Sequence, residues 1–289
     1  MEFTPVDKKR YKFLLLQTFK AFVKFCKDNG IQFFAAGGTM IGAVRHRGVI
    51  PWDDDIDVYM KRCDYDKFIN LRSQLDGTNY EILDPSLDGY YCAHTKFSHR
   101  YSTLWEFQGI PFVFGAYVDV FVLDFEDGSY EDVAKRRMEY AKKTNYLFIS
   151  ANNHPNKEIK KLFLHGCFKK SLWYVFQKLI LKNYHSILKK QLIRHLKNNQ
   201  GEWLVAYTGT SGEKDIFRSD WFEGSISFPF EDTFVDVPSG YDEFLTAMYG
   251  DYMTPPSIED QISHHVLFYY DLNRRITKDE IEQMQIEDR

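Results

Sequence analysis

GGTMIGAVRHRGVIPWDDDID, residues 37–57, is the segment from which the rest of the chain can be placed. Asp53, Asp54, Asp55 and Asp57 put four carboxylates within five residues. Such charges repel one another, so an ordered backbone here needs a counter-charge, and a bound divalent cation supplies one at least cost. If Asp55-Ile56-Asp57-Val58 is extended, Asp55 and Asp57 share one face while Ile56 and Val58 enter the core. Their Cα atoms would then stand roughly 6.5 Å apart, close enough for both side chains to reach one ion with oxygen ligands at about 2.1 Å. A solvated acidic turn is the bland alternative, but turns rarely alternate carboxylates with Ile and Val.

Upstream, Ile31 to Ala36 is a short apolar run that predicts a buried strand. Gly37 and Gly38 let the backbone approach a ligand with no side chain in the way. Thr39 is expected to N-cap a helix running to about His46. A glycine turn at a helix start offers free N–H groups to an anion such as phosphate. Arg45, His46 and Arg47 follow as potential phosphate partners, although each alone reads equally well as a solvated surface charge.

The chain has 289 residues, 44% of them apolar, enough for a sizeable core. Phe (25) and Tyr (19) raise the aromatic share to 17%, which suits a thick core. A net charge of -4 gives no global attraction to nucleic acid. Cys26, Cys63, Cys92 and Cys167 are far apart, with no C-x-x-C pair, and read as reduced packing residues. The first twelve residues lack the pattern of a signal peptide, and no run of about 18 apolar residues suggests a membrane span. The expected location is cytoplasmic, peripheral on the inner face of the cell membrane.

Residues 8–28 predict an amphipathic helix, illustrated by Phe13, Leu16, Phe19, Lys20, Val23 and Lys27 and stopped by Asn29-Gly30. A helix is expected over 64–75 with Asp64 as its cap, and strands over 79–83, 90–97 and 103–107. In Tyr117 to Asp124, Asp119 lies between Val118 and Val120 in a β-favouring run. A carboxylate buried there needs a partner or a metal, which makes Asp119 a candidate third ligand. A helix follows at 130–150. Between 157 and 197, eleven Lys or Arg face a single acid, Glu158, interleaved with Trp173, Phe163, Phe168 and Phe176. This composition suits either an anionic membrane interface or an insertion packed on its own core, and no nucleic-acid-reading motif accompanies it. Residues 228–238 read as extended, Ser239 with Asp242 as a capping box for a helix over 240–249, Gly250 as its stop, and 274–289 as a surface helix.

A helix, a strand, a Gly-Gly turn, a D-x-D strand and a later lone strand Asp form an arrangement similar to the nucleotidyltransferase fold. The wording GGTMIGAVRHRGVIPWDDDIDV, with VDVFVLD at 118–124, FEDTFVDVPSGYDEFL at 230–245 and YGDYMTPP at 249–256, resembles the LicD family of phosphocholine transferases, to which fukutin-related ribitol-phosphate transferases also belong. The likeness spans roughly 1–125 and 205–265. Met40-Ile41 stands where Leu-Leu is more usual.

The resemblance implies an α+β fold in which a small mixed sheet is flanked by helices. A core over 1–129, a helical basic insertion over 130–200 and a C-terminal segment over 201–289 that completes the site are expected. It implies transfer of a phospho-alcohol from a CDP-activated donor, such as CDP-choline, to a sugar hydroxyl of a lipopolysaccharide, teichoic acid or capsule, with CMP leaving. Asp55, Asp57 and Asp119 would hold Mg2+, with Mn2+ as a substitute. Asp119 or Asp53 would accept the hydroxyl proton. Gly37, Gly38 and Thr39 would contact phosphate, with Arg45 or Arg47 beside them. Trp52 would stack on base or choline, or wedge behind the acidic strand. Tyr249, Gly250, Asp251 and Tyr252 would close the site, or merely stop a helix. Choline, ribitol, glycerol and ethanolamine stay open as the carried alcohol. A metal-dependent glycosyltransferase is disfavoured because only 52 residues precede Asp53, too few for a nucleotide-binding half. A transferase of the nucleotide itself and an inactive glycan- or membrane-binding scaffold are the other rivals.

Overall fold

The computed structural model describes residues 3–151, positions 169, 172, 175 and 176, residues 200–262 and residues 267–287. The basic segment 157–197 therefore lies outside the described residues apart from four positions, as does Cys167.

Helix α1 (Pro5–Asp28) starts where Thr4 Oγ1 accepts the Asp7 N–H at 3.2 Å, with Pro5 pre-set for the first turn. It ends where Asn29 donates its side-chain amide to the Phe25 carbonyl and Gly30 takes φ 57°. Its buried face is Tyr11, Leu15, Phe19, Phe22, Phe25 and Cys26. The stripe is rotated from the expected one, and Phe13 is exposed. The fully buried Phe22 meets Phe33, Phe68 and Phe97 at 4.9, 5.8 and 5.6 Å between ring centroids. Each such burial stabilises by roughly 1.5–3 kcal/mol.

The central sheet runs β1-β2-β6-β4-β3: β1 (Phe34–Ala35), β2 (Asp57–Lys61), β3 (Tyr80–Leu83), β4 (Thr95–His99) and β6 (Tyr117–Glu126). The short β5 (Thr103–Trp105) pairs elsewhere, with β11 (Tyr269–Asp271). The later half of β6 pairs with β7 (Trp203–Val205), and β7 with β8 (Ile216–Arg218). The pairing is antiparallel except between β2 and β6, so the sheet is mixed and the fold α+β, as the family likeness implied. Between β1 and β2 lie α2 (Gly37–Ile41) and a wide π-type turn over Gly42–His46. Helix α3 (Arg62–Asn70) follows β2 and starts earlier than expected: Asp64 is not its cap, and Asp64 Oδ1 instead accepts the Gln32 N–H at 2.9 Å.

Helices α1 and α3 cover one face of the sheet through Phe97. On the other face Tyr59 packs against Phe217, Phe222 and Phe244 at 5.5, 6.4 and 6.1 Å, the last from α5 (Tyr241–Tyr249). Helix α4 (Tyr130–Ala151) matches the expected span and packs on β7 through Val133, Tyr140 and Leu147. The extended segment 228–238 is a hairpin of β9 (Ser225–Phe230) and β10 (Thr233–Pro238) turned at Glu231 and Asp232. The capping box expected for α5 does not form: Ser239 Oγ contacts the Gly224 N–H and the Trp221 carbonyl, and Gly240 precedes the helix. Gly250, at φ 70°, ends it. Helix α6 (Lys278–Glu287) closes the chain. No helix among the described residues is long and apolar enough to cross a membrane.

Candidate active site

The parallel pairing of β2 with β6 sets Asp57 beside Asp119 in register, so their Cα atoms are about 4.8 Å apart at the N-terminal ends of both strands. Asp57 is held on both sides: its N–H donates to Thr39 Oγ1 at 2.8 Å, and its carbonyl accepts the Ala36 N–H at 2.9 Å. Thr39 is therefore not an N-cap. Helix α2 begins two residues earlier because Gly37 takes φ 45°, and Thr39 ties the helix to β2 instead.

This places the Gly-Gly turn against the acids. A Cβ on Gly37 would lie 3.7 Å from Asp57 Oδ2, and one on Gly38 only 2.6 Å from Asp53 Oδ2. Asp53 is positioned by its N–H on the Ile50 carbonyl, and the Asp54 carbonyl accepts the Tyr11 hydroxyl at 3.0 Å. Asp53, Asp54 and Asp55 can each bring an oxygen within 4.8 Å of the others. Burial, with Asp55 and Asp54 adding repulsion, raises the Asp53 carboxyl to about 7. Burial and the charges of Asp55, Asp119 and Asp53 push Asp57 well above the usual carboxylate range. An all-carboxylate donor set whose members repel one another fits a hard divalent cation, and a Cβ at position 38 would have to push the Asp53 carboxylate aside.

Asp119 differs. Lys96, its register partner on β4, donates to both carboxylate oxygens at 2.8 and 3.0 Å. His94 Nε2 is 3.3 Å from Oδ1, too poorly aligned for a hydrogen bond. Burial alone would raise the Asp119 carboxyl, but His94 and Lys96 hold it well below the usual range. The set expected from the sequence is thus divided: Asp55 groups with Asp53 and Asp54, while Asp57 and Asp119 are register partners on β2 and β6, and Asp119 is already matched by a lysine.

Arg45 donates to the Tyr252 carbonyl at 2.5 Å and stands 6.0 Å from the Trp52 ring centroid, with His46 edge-on to the same ring at 5.8 Å. Trp52 therefore wedges between the π-turn and the acidic loop. Arg47 is exposed and carries φ 58°; its carbonyl accepts the Glu231 N–H at 2.8 Å. Glu231 Oε1 in turn accepts the Val49 N–H and pairs with Lys12, so the 230–233 hairpin clamps the loop that carries the acids. From the C-terminal side, the Tyr249 hydroxyl lies 3.5 Å from where a Cβ on Gly37 would stand, and desolvation with the charge of Asp57 raises it to about 12. Asp251 does not join the cluster. It is exposed and spends its oxygens on the Thr254 N–H and hydroxyl, as the cap of a turn. Lys96, His94, Tyr11 and Glu231 were not anticipated. Lys96 had one signal, a lysine inside the strand expected over 90–97, but its partner is fixed by cross-strand register.

Residues 30–160 match the family described as LicD/FKTN/FKRP, nucleotidyltransferase domain. The chain is 28% identical over 247 residues to the lipopolysaccharide cholinephosphotransferase LicD of Haemophilus influenzae, covering 85% of this chain and 91% of that one. Over 100 residues it is 25% identical to the ribitol 5-phosphate transferase FKRP of Homo sapiens, covering 32% of this chain and 20% of that one. An uncharacterised protein of Rickettsia typhi shares 35% over 68 residues, 24% of this chain and 22% of that one. A mixed sheet with a Gly-Gly turn set on paired strand carboxylates is a nucleotidyltransferase-type domain. More narrowly, residues 30–160 match the LicD family domain, and the likeness to LicD of Haemophilus influenzae extends over most of the chain.

Proposed function

We propose that this chain transfers a phospho-alcohol, phosphocholine first among the candidates, from a CDP-activated donor to a sugar hydroxyl of a cell-surface glycan, releasing CMP. The observation that carries the reading is the placement of Asp53 and Asp57 carboxylates where Cβ atoms on Gly38 and Gly37 would point, in a chain similar along most of its length to a lipopolysaccharide cholinephosphotransferase. Asp55 and Asp57, with Asp53 at their side, would hold a divalent cation, Mg2+ or Mn2+. When bound, the ion neutralises the donor diphosphate. The Gly37 and Gly38 backbone lies where a phosphate oxygen can approach closely. The acceptor oxygen bonds to the alcohol-bearing phosphorus, the bond to CMP breaks, and CMP leaves with the electron pair. The hydroxyl proton goes to a carboxylate. Asp53 suits this better than Asp119, whose oxygens are engaged by Lys96. Arg45 and Trp52 border the leaving nucleotide, with Tyr249 closing the opposite side. The basic segment 157–197 is assigned to contact with an anionic membrane rather than nucleic acid, which puts the protein at the cytoplasmic face.

A panel of CDP-alcohols scored for CMP release with Mg2+ tests this. CDP-choline is expected to turn over. Asp55→Ala should lose at least about 1000-fold, the several kcal/mol that charge neutralisation supplies, and chelator should abolish turnover. Chelator-resistant release, or full activity in Asp55→Ala, would overturn the reading.

A further inference from the structure

We propose that Lys96 is a built-in cation standing where a second metal ion would sit, so that the site takes one divalent cation per chain. The inference rests on the metal reading above. Two-metal sites need carboxylates that bridge ions about 3.5–4 Å apart. In β2 and β6 the candidates are Asp57 and Asp119. The Asp119 side is already filled: the Lys96 ammonium contacts both carboxylate oxygens, and the residue is only 2% exposed. Its position is built from more than one side. The Tyr117 ring centroid is 3.4 Å from Nζ and the Phe114 centroid 4.7 Å, so two aromatic faces hold the charge. Glu106, fixed by the Tyr91 and Tyr117 hydroxyls, adds a second carboxylate to the field that keeps the ammonium charged. A divalent ion on the Asp119 oxygens would have to displace a buried, caged lysine. At Asp53 and Asp57, in the other half of the cluster, burial and mutual repulsion dominate. The positive charge facing the donor is thus divided between one exchangeable ion and one covalently tethered ammonium.

Counting Mn2+ bound to the full-length chain, by calorimetry and by the loss of free-ion paramagnetic signal, tests the assignment. The native chain should bind one ion. Lys96→Met, which frees the Asp119 oxygens, should bind two, and Lys96→Arg should bind one. Because Lys96→Met strands a buried carboxylate, the neutral double variant Lys96→Met with Asp119→Asn serves as a folding control. It should keep one ion with affinity changed less than about 10-fold, because a lost direct ligand would cost more. Two ions on the native chain, a single ion on folded Lys96→Met, or loss of the ion in the double variant would overturn the proposal. No ion on the native chain would instead sink the metal reading on which it rests.

Discussion

Asp53, in the loop before β2, and Asp119, near the start of β6, are both buried or half-buried carboxylates, yet their surroundings drive them in opposite directions. Asp119 is held ionised by His94 and Lys96 against the cost of burial. Asp53 is raised from its ordinary 3.8 to about 7 by burial and its neighbours. A carboxyl raised in the folded state binds more protons there than in the unfolded chain, so stability falls as pH climbs between the two values. In the presence of chelator, the melting temperature should therefore drop as pH rises from about 4 to about 7, and Asp57 acts in the same sense. Mg2+ at pH 7 should restore it. Melting curves that stay flat over that range, with and without Mg2+, would contradict the repulsion inferred here. At this scale the sequence was informative where neighbours are local. Four Asp in five residues announce repulsion by themselves. The Lys96–Asp119 pair could not be read, because it depends on which strands become neighbours. Asp251 was misplaced for the complementary reason: Thr254, three residues on, offers it a local turn partner.

Among elements, α2 and the β9-β10 hairpin do the positioning. Helix α2 was expected from Thr39; it starts at Gly37 because glycine accepts φ 45° there. Gly38 has no such backbone demand, so alanine at 38 should help the helix by up to about 1 kcal/mol. Its Cβ would nevertheless lie 2.6 Å from Asp53 Oδ2 and push that carboxylate away. Gly38→Ala is expected to lower both CMP release and Mg2+-dependent thermal stabilisation at least about 10-fold in apparent affinity or rate, while the melting temperature without metal stays close to native. An active Gly38→Ala would show that the turn does not set the site. The hairpin was legible only as extended chain. Its turn uses Glu231 at φ 53° rather than an Asn-Gly pair, so the usual signal is missing. What fixes it is tertiary: Glu231 on Val49 and Lys12, and Asp232 on Lys20 at 2.6 Å.

For the whole molecule, the C-terminal third is woven into the sheet rather than appended to it. Strand β7 extends β6, and Arg275 donates to the carbonyls of His99, Ser102 and Val113 and pairs with Glu81. The sequence showed strands returning after residue 200 but not where they dock, since pairing across such separations leaves no local trace. The charge asymmetry is a property of the whole chain: net -4 overall, with eleven basic residues gathered between 157 and 197. Replacing Lys157, Lys160, Lys161, Lys169 and Lys170 by glutamine should weaken co-sedimentation with vesicles rich in anionic lipid, by about 1 kcal/mol for each lysine that lies near the surface. Neutral vesicles should show no difference. Unchanged pelleting with anionic vesicles would mean that the lysines serve only the fold.

The aromatic seal over Tyr59 has a consequence for synthesis. A ribosome delivers Asp57 and Asp119 well before Phe217, Phe222 and Phe244, the rings that cover the strand face on which Tyr59 lies. Until those residues emerge, the nascent polypeptide carries a bare ring surface beside a knot of negative charge. Completion of the candidate site must therefore wait for translation to run past Tyr249, and a prematurely terminated product would leave that ring surface uncovered.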